Sequence, residues 1–284
     1  MGLMDYEIVY LFFAGLLGLC IGSFLNVAIH RIPIMLDQAF KSEIALANGK
    51  PVKHTQTYNL VFPGSHCPHC QTPIPYWANI PIISYLFLFG KSTCCHKKIS
   101  LRYPITEILC TLLTIYTAYQ FGFTLKSLFA MTLVWALITL SFIDIEHMIL
   151  PDNITIPMIW VGLLANTQNM FTSPNSAILG AIAGYSIFWV VAFIFKKLRG
   201  LDGLGSGDYK LLSLLGAWLG WELLPFILLF SSFCGIIFGL TYNIIYRRKH
   251  TEPIPFGPFL AIGGIVTLFW GYKFVQIYIH QMVA

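Results

Sequence analysis

The chain has 284 residues, of which 57% are hydrophobic and only 10% are charged, with a formal net charge of +5. Soluble domains carry about 25% charged residues, so this composition excludes an ordinary soluble protein. It predicts an all-α, polytopic membrane protein. The positive charge calls for no nucleic acid partner, because the membrane topology described below accounts for it.

Long apolar stretches predict about eight transmembrane helices. The first, residues 8–29, follows Asp5 and Glu7 instead of a basic segment, and it lacks a small-residue cleavage site. We therefore interpret it as a retained helix and not as a signal peptide. The others are expected at 104–121, 127–143, 155–171, 177–195, 211–222, 223–246 and 256–279. The sixth, 211–222, is short of the ~20 residues that a crossing needs.

The basic residues predict the orientation of these helices. All of the 17 Lys and Arg residues except Lys126 and Lys273 fall in the segments 30–103, 196–210 and 247–249. Basic loops stay on the cytoplasmic side of a membrane. The three segments are therefore expected in the cytoplasm and both termini outside.

Residues 30–103 form the one large hydrophilic segment. They are rich in proline and have few long periodic stretches, so they are expected to have little core of their own. The predicted domains are thus a first transmembrane helix (1–29), a cytoplasmic loop domain (30–103) and a membrane bundle (104–284). The apolar run Ile80–Phe89 is about half a span long and is expected at the interface or packed on the bundle.

Two acids are expected at the cytoplasmic ends of membrane helices that run in opposite directions. Asp144 closes the third span and Asp208 opens the sixth. Ionisable groups at membrane depth are costly and usually functional, and two neighbouring carboxylates can share one proton for acid and base catalysis. Gly205 and Gly207 would leave room for an extended substrate. The alternatives are a helix N-cap for Asp208 and an interfacial acid without a task for Asp144.

A family resemblance rests on several motifs in one order. Gly205-Ser206-Gly207-Asp208 resembles the G-x-G-D signature of the membrane aspartic proteases that include type IV prepilin peptidases. Further matching stretches cover essentially the whole chain: GSFLNVAIHRIP (22–33), CPHC (67–70), ISLRYPITE (99–107), Pro151-Asp152 shortly after Asp144, and FGPF (256–259).

The resemblance implies a specific activity. Asp144 and Asp208 would be the catalytic dyad of a bacterial inner-membrane peptidase. It would remove the short basic leader of type IV prepilins, and of the pseudopilins of type II secretion, after its terminal glycine at the cytoplasmic face. Longer members of the family also methylate the new amino terminus with S-adenosylmethionine. Because the 30–103 loop is long, we expect both activities.

Four cysteines in the loop predict a zinc site. Cys67 and Cys70 have the C-x-x-C spacing of half such a site. In the family's second pair Cys95 keeps one position, Ser92 occupies the other, and Cys94 lies beside Cys95. The fourth ligand is open between Cys94 and a histidine (His66, His69 or His96). The alternative is a metal-free loop with reduced thiols. The other cysteines, Cys20, Cys110 and Cys234, are expected to pack in apolar runs.

The methyl-donor pocket has no recognisable fingerprint. Residues 30–103 contain no glycine-rich dinucleotide motif, so any pocket must be unconventional. Gly90, Ser23 and Asn26 are candidates by position only. A turn glycine and two helix-terminal polar residues are the alternative interpretations.

Several charged residues near the motifs have more than one interpretation. Lys210 would hold the charge of the dyad or meet a lipid phosphate. Glu107 would pair with Arg102 or take part in leader recognition. Asp152 would cap a turn or bind the basic leader, and Glu146 and His147 would contact the substrate.

Two other classes of function stay open from sequence alone. A transporter would use Asp144 and Asp208 as coupling-ion sites, although transporter sites tend to lie at the bilayer midplane between repeated halves. A non-catalytic assembly scaffold would not need either aspartate.

Overall fold

A computed structural model of the chain describes residues 3–49, 58–67, 69–201, 203–246 and 254–283. None of these residues forms an extended strand, and only two isolated β-bridges occur. The all-α prediction is therefore confirmed. The helices are α1 Leu3–Ala47, α2 Ile83–Phe87, α3 Arg102–Phe121, α4 Leu125–His147, α5 Asp152–Asn166, α6 Pro174–Arg199, α7 Ser206–Leu219, α8 Leu224–Tyr246 and α9 Gly257–Val283.

Within the described residues, five helical segments are long and apolar enough to cross a membrane, which supports a membrane protein. They are Tyr6–Ala47, Leu125–His147, Pro174–Arg199, Trp221–Ile245 and Gly257–Gln276. The predicted number of about eight spans is not confirmed, although α3, α5 and α7 lie where the other three were expected. With 15 and 14 residues, α5 and α7 rise about 22 Å and 21 Å. Both are shorter than the ~30 Å hydrocarbon core of a bilayer.

The chain divides into two compact units, residues 1–127 and 128–284. In the first unit, α1 packs along α3. A Cβ on Gly18 would lie 2.8 Å from Thr111 Cα, and one on Gly22 would lie 2.9 Å from Glu107 Cα. Small residues at this spacing let two helix backbones meet closely, as in many membrane helix pairs.

Helix α1 continues well past the apolar run that predicted it. It extends to Ala47, so the first part of the expected 30–103 loop is helical. Arg31 on this extension is only 6% exposed. Its guanidinium donates to the carbonyl oxygens of Asn59 (2.9 Å) and Pro63 (2.6 Å). Arg31 is one of the positive charges from which the orientation in the membrane was predicted. Its hydrogen bonds also attach the loop to α1.

The run Ile80–Phe89 follows a one-turn 3₁₀ helix, Tyr76–Asn79, and contains the five-residue helix α2. Most of its large apolar side chains are exposed, including those of Leu86, Phe87 and Phe89. They bury little area within their own unit.

Helix α7 is the centre of the second unit. Its residues from Leu211 to Leu219 are all buried, and it packs against α5, α6 and α9. Gly180 and Gly216 meet backbone to backbone, and a Cβ on Gly184 would lie 2.5 Å from the Leu212 carbonyl oxygen. The predicted sixth span is therefore a short, enclosed helix, and its first turn carries Asp208.

Candidate active site and cysteine cluster

Asp144 is a buried carboxylate in the last turn of α4. It is 6% exposed, and its Oδ2 accepts a hydrogen bond of 3.0 Å from the backbone amide of Gly257 at the start of α9. A Cβ on Gly257 would lie 2.7 Å from that same oxygen. Only glycine lets the α9 backbone come this close to the Asp144 carboxylate. The Phe256–Phe259 stretch therefore begins a helix and also supplies the hydrogen-bond donor for Asp144.

Asp208 is buried in the first turn of α7. Its carboxylate lies close enough to Asp144 for the two charges to interact. The structure thus brings together the two acids that the sequence predicts as a dyad. The N-cap of α7 is Gly205, with φ −68°, so the interpretation of Asp208 as an N-cap is wrong. An acid in a first helical turn is favoured by the helix dipole.

The glycines of the G-x-G-D motif pack against the protein's own chain. Neither Gly205 nor Gly207 has a positive φ. A Cβ on Gly207 would lie 2.8 Å from Leu150 Cβ, and one on Gly257 would lie 3.2 Å from Leu150 Cδ2. Leu150 therefore fits between the glycine next to Asp208 and the glycine that contacts Asp144. Sequence reasoning missed this residue, because a lone leucine in a link carries no recognisable signal.

Lys210 pairs with Asp152, not with the dyad. Its Nζ lies 2.6 Å and 2.7 Å from the two carboxylate oxygens of Asp152 in the first turn of α5. The side chains are 27% and 52% exposed. Glu146 and His147, predicted as substrate contacts, are exposed, and His147 Nε2 lies 4.0 Å from Glu146 Oε2.

The four loop cysteines form a single cluster. The sulfur atoms of Cys67, Cys70, Cys94 and Cys95 all lie within 4.8 Å of one another, and no histidine of the described chain joins them. The Cys67–Cys95 and Cys70–Cys94 Sγ distances are 3.7 Å and 2.9 Å. Tetrahedral zinc with Zn–S bonds of about 2.3 Å holds its sulfurs roughly 3.8 Å apart. The set of four clustered thiols is compatible with zinc, the Cys67–Cys95 distance matches this spacing, and Cys94 is available as the fourth ligand.

Ser92 supports this cluster from the position where the family has a cysteine. Its hydroxyl donates to Cys67 Sγ (3.5 Å) and lies 3.0 Å from Cys94 Sγ. The Ser92 hydroxyl, with the backbone amides of Cys70 and His69, lowers the pKa of the Cys67 thiol to about 5. The contact with Cys70 raises the pKa of the Cys94 thiol to about 11. At neutral pH the cluster thus offers a thiolate at Cys67 and a protonated thiol at Cys94, which must lose its proton to bind a metal.

The remaining cysteines differ in their burial. Cys110 is fully buried on α3, as expected for a packing residue. Cys20 is exposed and Cys234 is partly exposed, so the packing interpretation holds only for Cys110.

The methyl-donor candidates fall into two places in the first unit. Gly90 has φ +67°, and a Cβ there would lie 2.8 Å from the Tyr85 hydroxyl oxygen, so a turn role explains this glycine. Ser23 and Asn26 lie beside Glu107, whose carboxylate accepts the Ile82 amide hydrogen at 2.8 Å. The expected ion pair of Glu107 with Arg102 is not formed within the described chain.

Comparisons with known proteins cover both units. Residues 16–121 match the bacterial peptidase A24 N-terminal domain, and residues 131–240 match the type IV leader peptidase family. No solved structure matches the chain.

Three curated relatives are named prepilin leader peptidase/N-methyltransferase. The chain is 43% identical to the Pseudomonas aeruginosa protein, covering 99% of this chain and 98% of that one. Identity is 42% to the Legionella pneumophila protein, covering 93% of each chain. It is 45% to a Burkholderia pseudomallei protein, covering 92% of this chain and 86% of that one. The chain therefore belongs to the type IV leader peptidase family.

Proposed function

We propose that this protein is a bifunctional prepilin leader peptidase and N-methyltransferase. It cleaves the leader of type IV prepilins and type II secretion pseudopilins after a glycine, and then methylates the new amino-terminal residue. The observation that carries the peptidase activity is the buried pair Asp144 and Asp208, with its backbone contact to Gly257. Near full-length similarity to relatives that bear both activities in their names supports the second.

The aspartate pair provides acid and base chemistry in one place. Two buried carboxylates this close cannot both ionise easily, so they hold one proton between them. The protonated partner polarises the scissile carbonyl, and the ionised partner takes a proton from the attacking water. The Gly257 amide fixes the orientation of the Asp144 carboxylate. The rigid, buried α7 fixes the position of Asp208.

We assign methyl transfer to the first unit, which contains the family's N-terminal domain. S-adenosylmethionine would supply the methyl group. Among the candidates, Ser23 and Asn26 belong to a buried polar cluster with Glu107. For Gly90 the predicted role in the S-adenosylmethionine pocket stays a prediction, because its position in a turn already explains the glycine.

Cys67, Cys70, Cys94 and Cys95 would hold a structural zinc ion. Few side chains in the described part of the loop are buried, so a metal would supply folding energy that burial cannot. Peptide cleavage needs no metal when two carboxylates are present.

The protein would reside in the bacterial inner membrane as a multi-pass protein, with its active site facing the cytoplasm. The asymmetric placement of the basic residues supports this orientation. Its partners would be the lipid bilayer and the pilin precursors.

One assay tests both activities together. Purified protein in lipid vesicles is incubated with a prepilin and isotope-labelled S-adenosylmethionine, and the product is analysed by mass spectrometry. Loss of the leader with gain of one methyl group supports the proposal. An unprocessed pilin, together with solute flux across the same vesicles, would favour the transporter.

A further inference from the structure

Glu107 is a buried carboxylate that neither the peptidase pair nor the cysteine cluster uses. It lies in α3, is 7% exposed, and is enclosed by the close contact with Gly22 of α1. A buried carboxylate is expected to pair with a cation or to carry a function. No Lys, Arg or His in the described parts of the chain forms an ion pair with it.

The groups around Glu107 leave an acceptor without a donor. The Ile82 amide donates to Glu107 Oε2 at 2.8 Å, and the polar side chains of Ser23 and Asn26 lie near the same carboxyl. Asn26 is 3% exposed and donates through Nδ2 to the Tyr103 carbonyl oxygen at 3.1 Å. Its Oδ1 is buried and has no hydrogen-bond partner among the residues that the structure describes. An unmet buried acceptor is destabilising, so this site lacks a donor.

The backbone above the carboxylate is strained. Ile82, which points its amide at Glu107, has φ +59° although its side chain is β-branched. Such conformations are energetically unfavourable and concentrate at ligand sites and switch regions. The short helix α2 that begins at Ile83 therefore covers the carboxylate through a specific hydrogen bond, not through apolar packing.

We propose that Glu107, Asn26 and Ser23 form a binding site for the primary ammonium group of a ligand of the methyl-transfer reaction, which rests on the function proposed above. An ammonium group brings three N–H donors and a positive charge. It would meet the ionised carboxylate, the Asn26 Oδ1 and the Ser23 hydroxyl together. Two reactants carry such a group: the amino terminus that leader removal creates, and the amino acid end of S-adenosylmethionine.

Binding measurements on the full-length protein distinguish the two sources. The first probe is S-adenosylmethionine alone. The second is a peptide with the sequence of a mature pilin start, compared with the same peptide acetylated at its amino terminus. Wild-type protein should bind one amine-bearing probe, and Glu107→Gln should weaken that binding about tenfold or more, the worth of a hydrogen bond to a charged group. If the peptide is the ligand, the variant should also lose the preference for the free amine.

Matched variants separate this role from simple stability. Glu43→Gln removes the same charge from an exposed position of α1 and should leave binding and methylation unchanged. Glu107→Gln should lose methylation while leader cleavage, assigned to the second unit, stays within about twofold because that carboxylate is not part of the aspartate pair. If Glu107→Gln does not accumulate in membranes, Glu107→Asp is tested instead. It keeps the negative charge but moves it away from the proposed ammonium site by one methylene group.

The competing arrangement is a protonated Glu107 that donates to Asn26 Oδ1. Glutamine would then replace the missing donor. Unchanged binding of both probes and unchanged methylation by Glu107→Gln would overturn the ammonium site, as would unchanged binding by Glu107→Asp in its place. A wild-type protein that neither cleaves nor methylates would instead refute the proposed function itself.

Discussion

The backbone amide of Gly257, the first residue of α9, donates a hydrogen bond of 3.0 Å to Oδ2 of Asp144 in the last turn of α4. This contact brings the Gly257 backbone so near the carboxylate that a Cβ on Gly257 would lie 2.7 Å from Asp144 Oδ2. Helix α9 therefore takes part in positioning one half of the proposed dyad.

Replacement of Gly257 by alanine should displace the Asp144 carboxylate and lower prepilin cleavage about tenfold or more, since small misplacements of catalytic groups are costly. The added Cβ cannot be accommodated without moving Oδ2. The measurement is the initial rate of leader removal by purified variants. Gly239→Ala in α8 is the control, because its Cβ would meet only Ile254 at an ordinary 3.6 Å. Equal rates for the two variants would contradict a positioning role for Gly257.

The Lys210–Asp152 ion pair should contribute little to stability. Its side chains are 27% and 52% exposed, and exposed pairs of this kind are worth roughly 0.2–1 kcal/mol. A double-mutant cycle with Lys210→Gln and Asp152→Asn, followed by thermal unfolding in detergent, measures the coupling. A coupling of several kcal/mol would show that the pair is shielded from water in the membrane-embedded protein.

Zinc should depend on all four loop cysteines, including Cys94. Cys94→Ser should lose bound zinc because it removes one of the clustered sulfurs, whereas Cys20→Ser, at an exposed position of α1, should retain it. Metal content is measured by elemental analysis of purified protein. Leader cleavage should survive in both variants, since the aspartate pair is elsewhere in the chain. Full zinc in Cys94→Ser would assign the fourth position to another ligand.

Zinc binding should release protons and weaken as pH falls. The pKa of the Cys94 thiol is raised to about 11, so at pH 7 it carries a proton that zinc must displace. The pKa of the Cys67 thiol is lowered to about 5, so this thiolate is available at neutral pH and is lost as pH falls through about 5. The affinity for zinc should therefore rise as pH increases from about 5 to about 11. Calorimetry in buffers of different ionisation enthalpy measures the release, and binding without it would contradict these assignments.

The aspartate pair is the part of the proposed site that topology and residue type predict. The meeting of Asp144 and Asp208 follows from two opposed helices with acids at the same end, which hydropathy and basic residues reveal. The C-x-x-C spacing predicts that Cys67 and Cys70 lie together, and the family resemblance predicts that Cys95 joins them. For Cys94 sequence could not choose, because whether adjacent cysteines both turn inward depends on the backbone of the turn around His96, which has φ +55°.

Other features depend on contacts that no pattern encodes. Helix α1 passes Ile29 because an amphipathic extension follows the apolar run, with an Asp37–Lys41 pair one turn apart. Hydropathy predicts which residues of a helix lie in the membrane, but it does not predict the residue at which the helix ends. Glu107 meets Ile82 across 25 positions that include α2 and a loop, and Leu150 contacts two glycines that are far apart in sequence.

Leader removal by aspartate variants tests the central claim most directly. Asp144→Asn and Asp208→Asn keep side-chain shape but cannot share or transfer a proton between carboxyl groups. The mass of a prepilin incubated with each purified variant should remain that of the uncut precursor, while wild-type protein yields the shortened, methylated product. Complete cleavage by either folded variant would contradict the two-carboxylate mechanism.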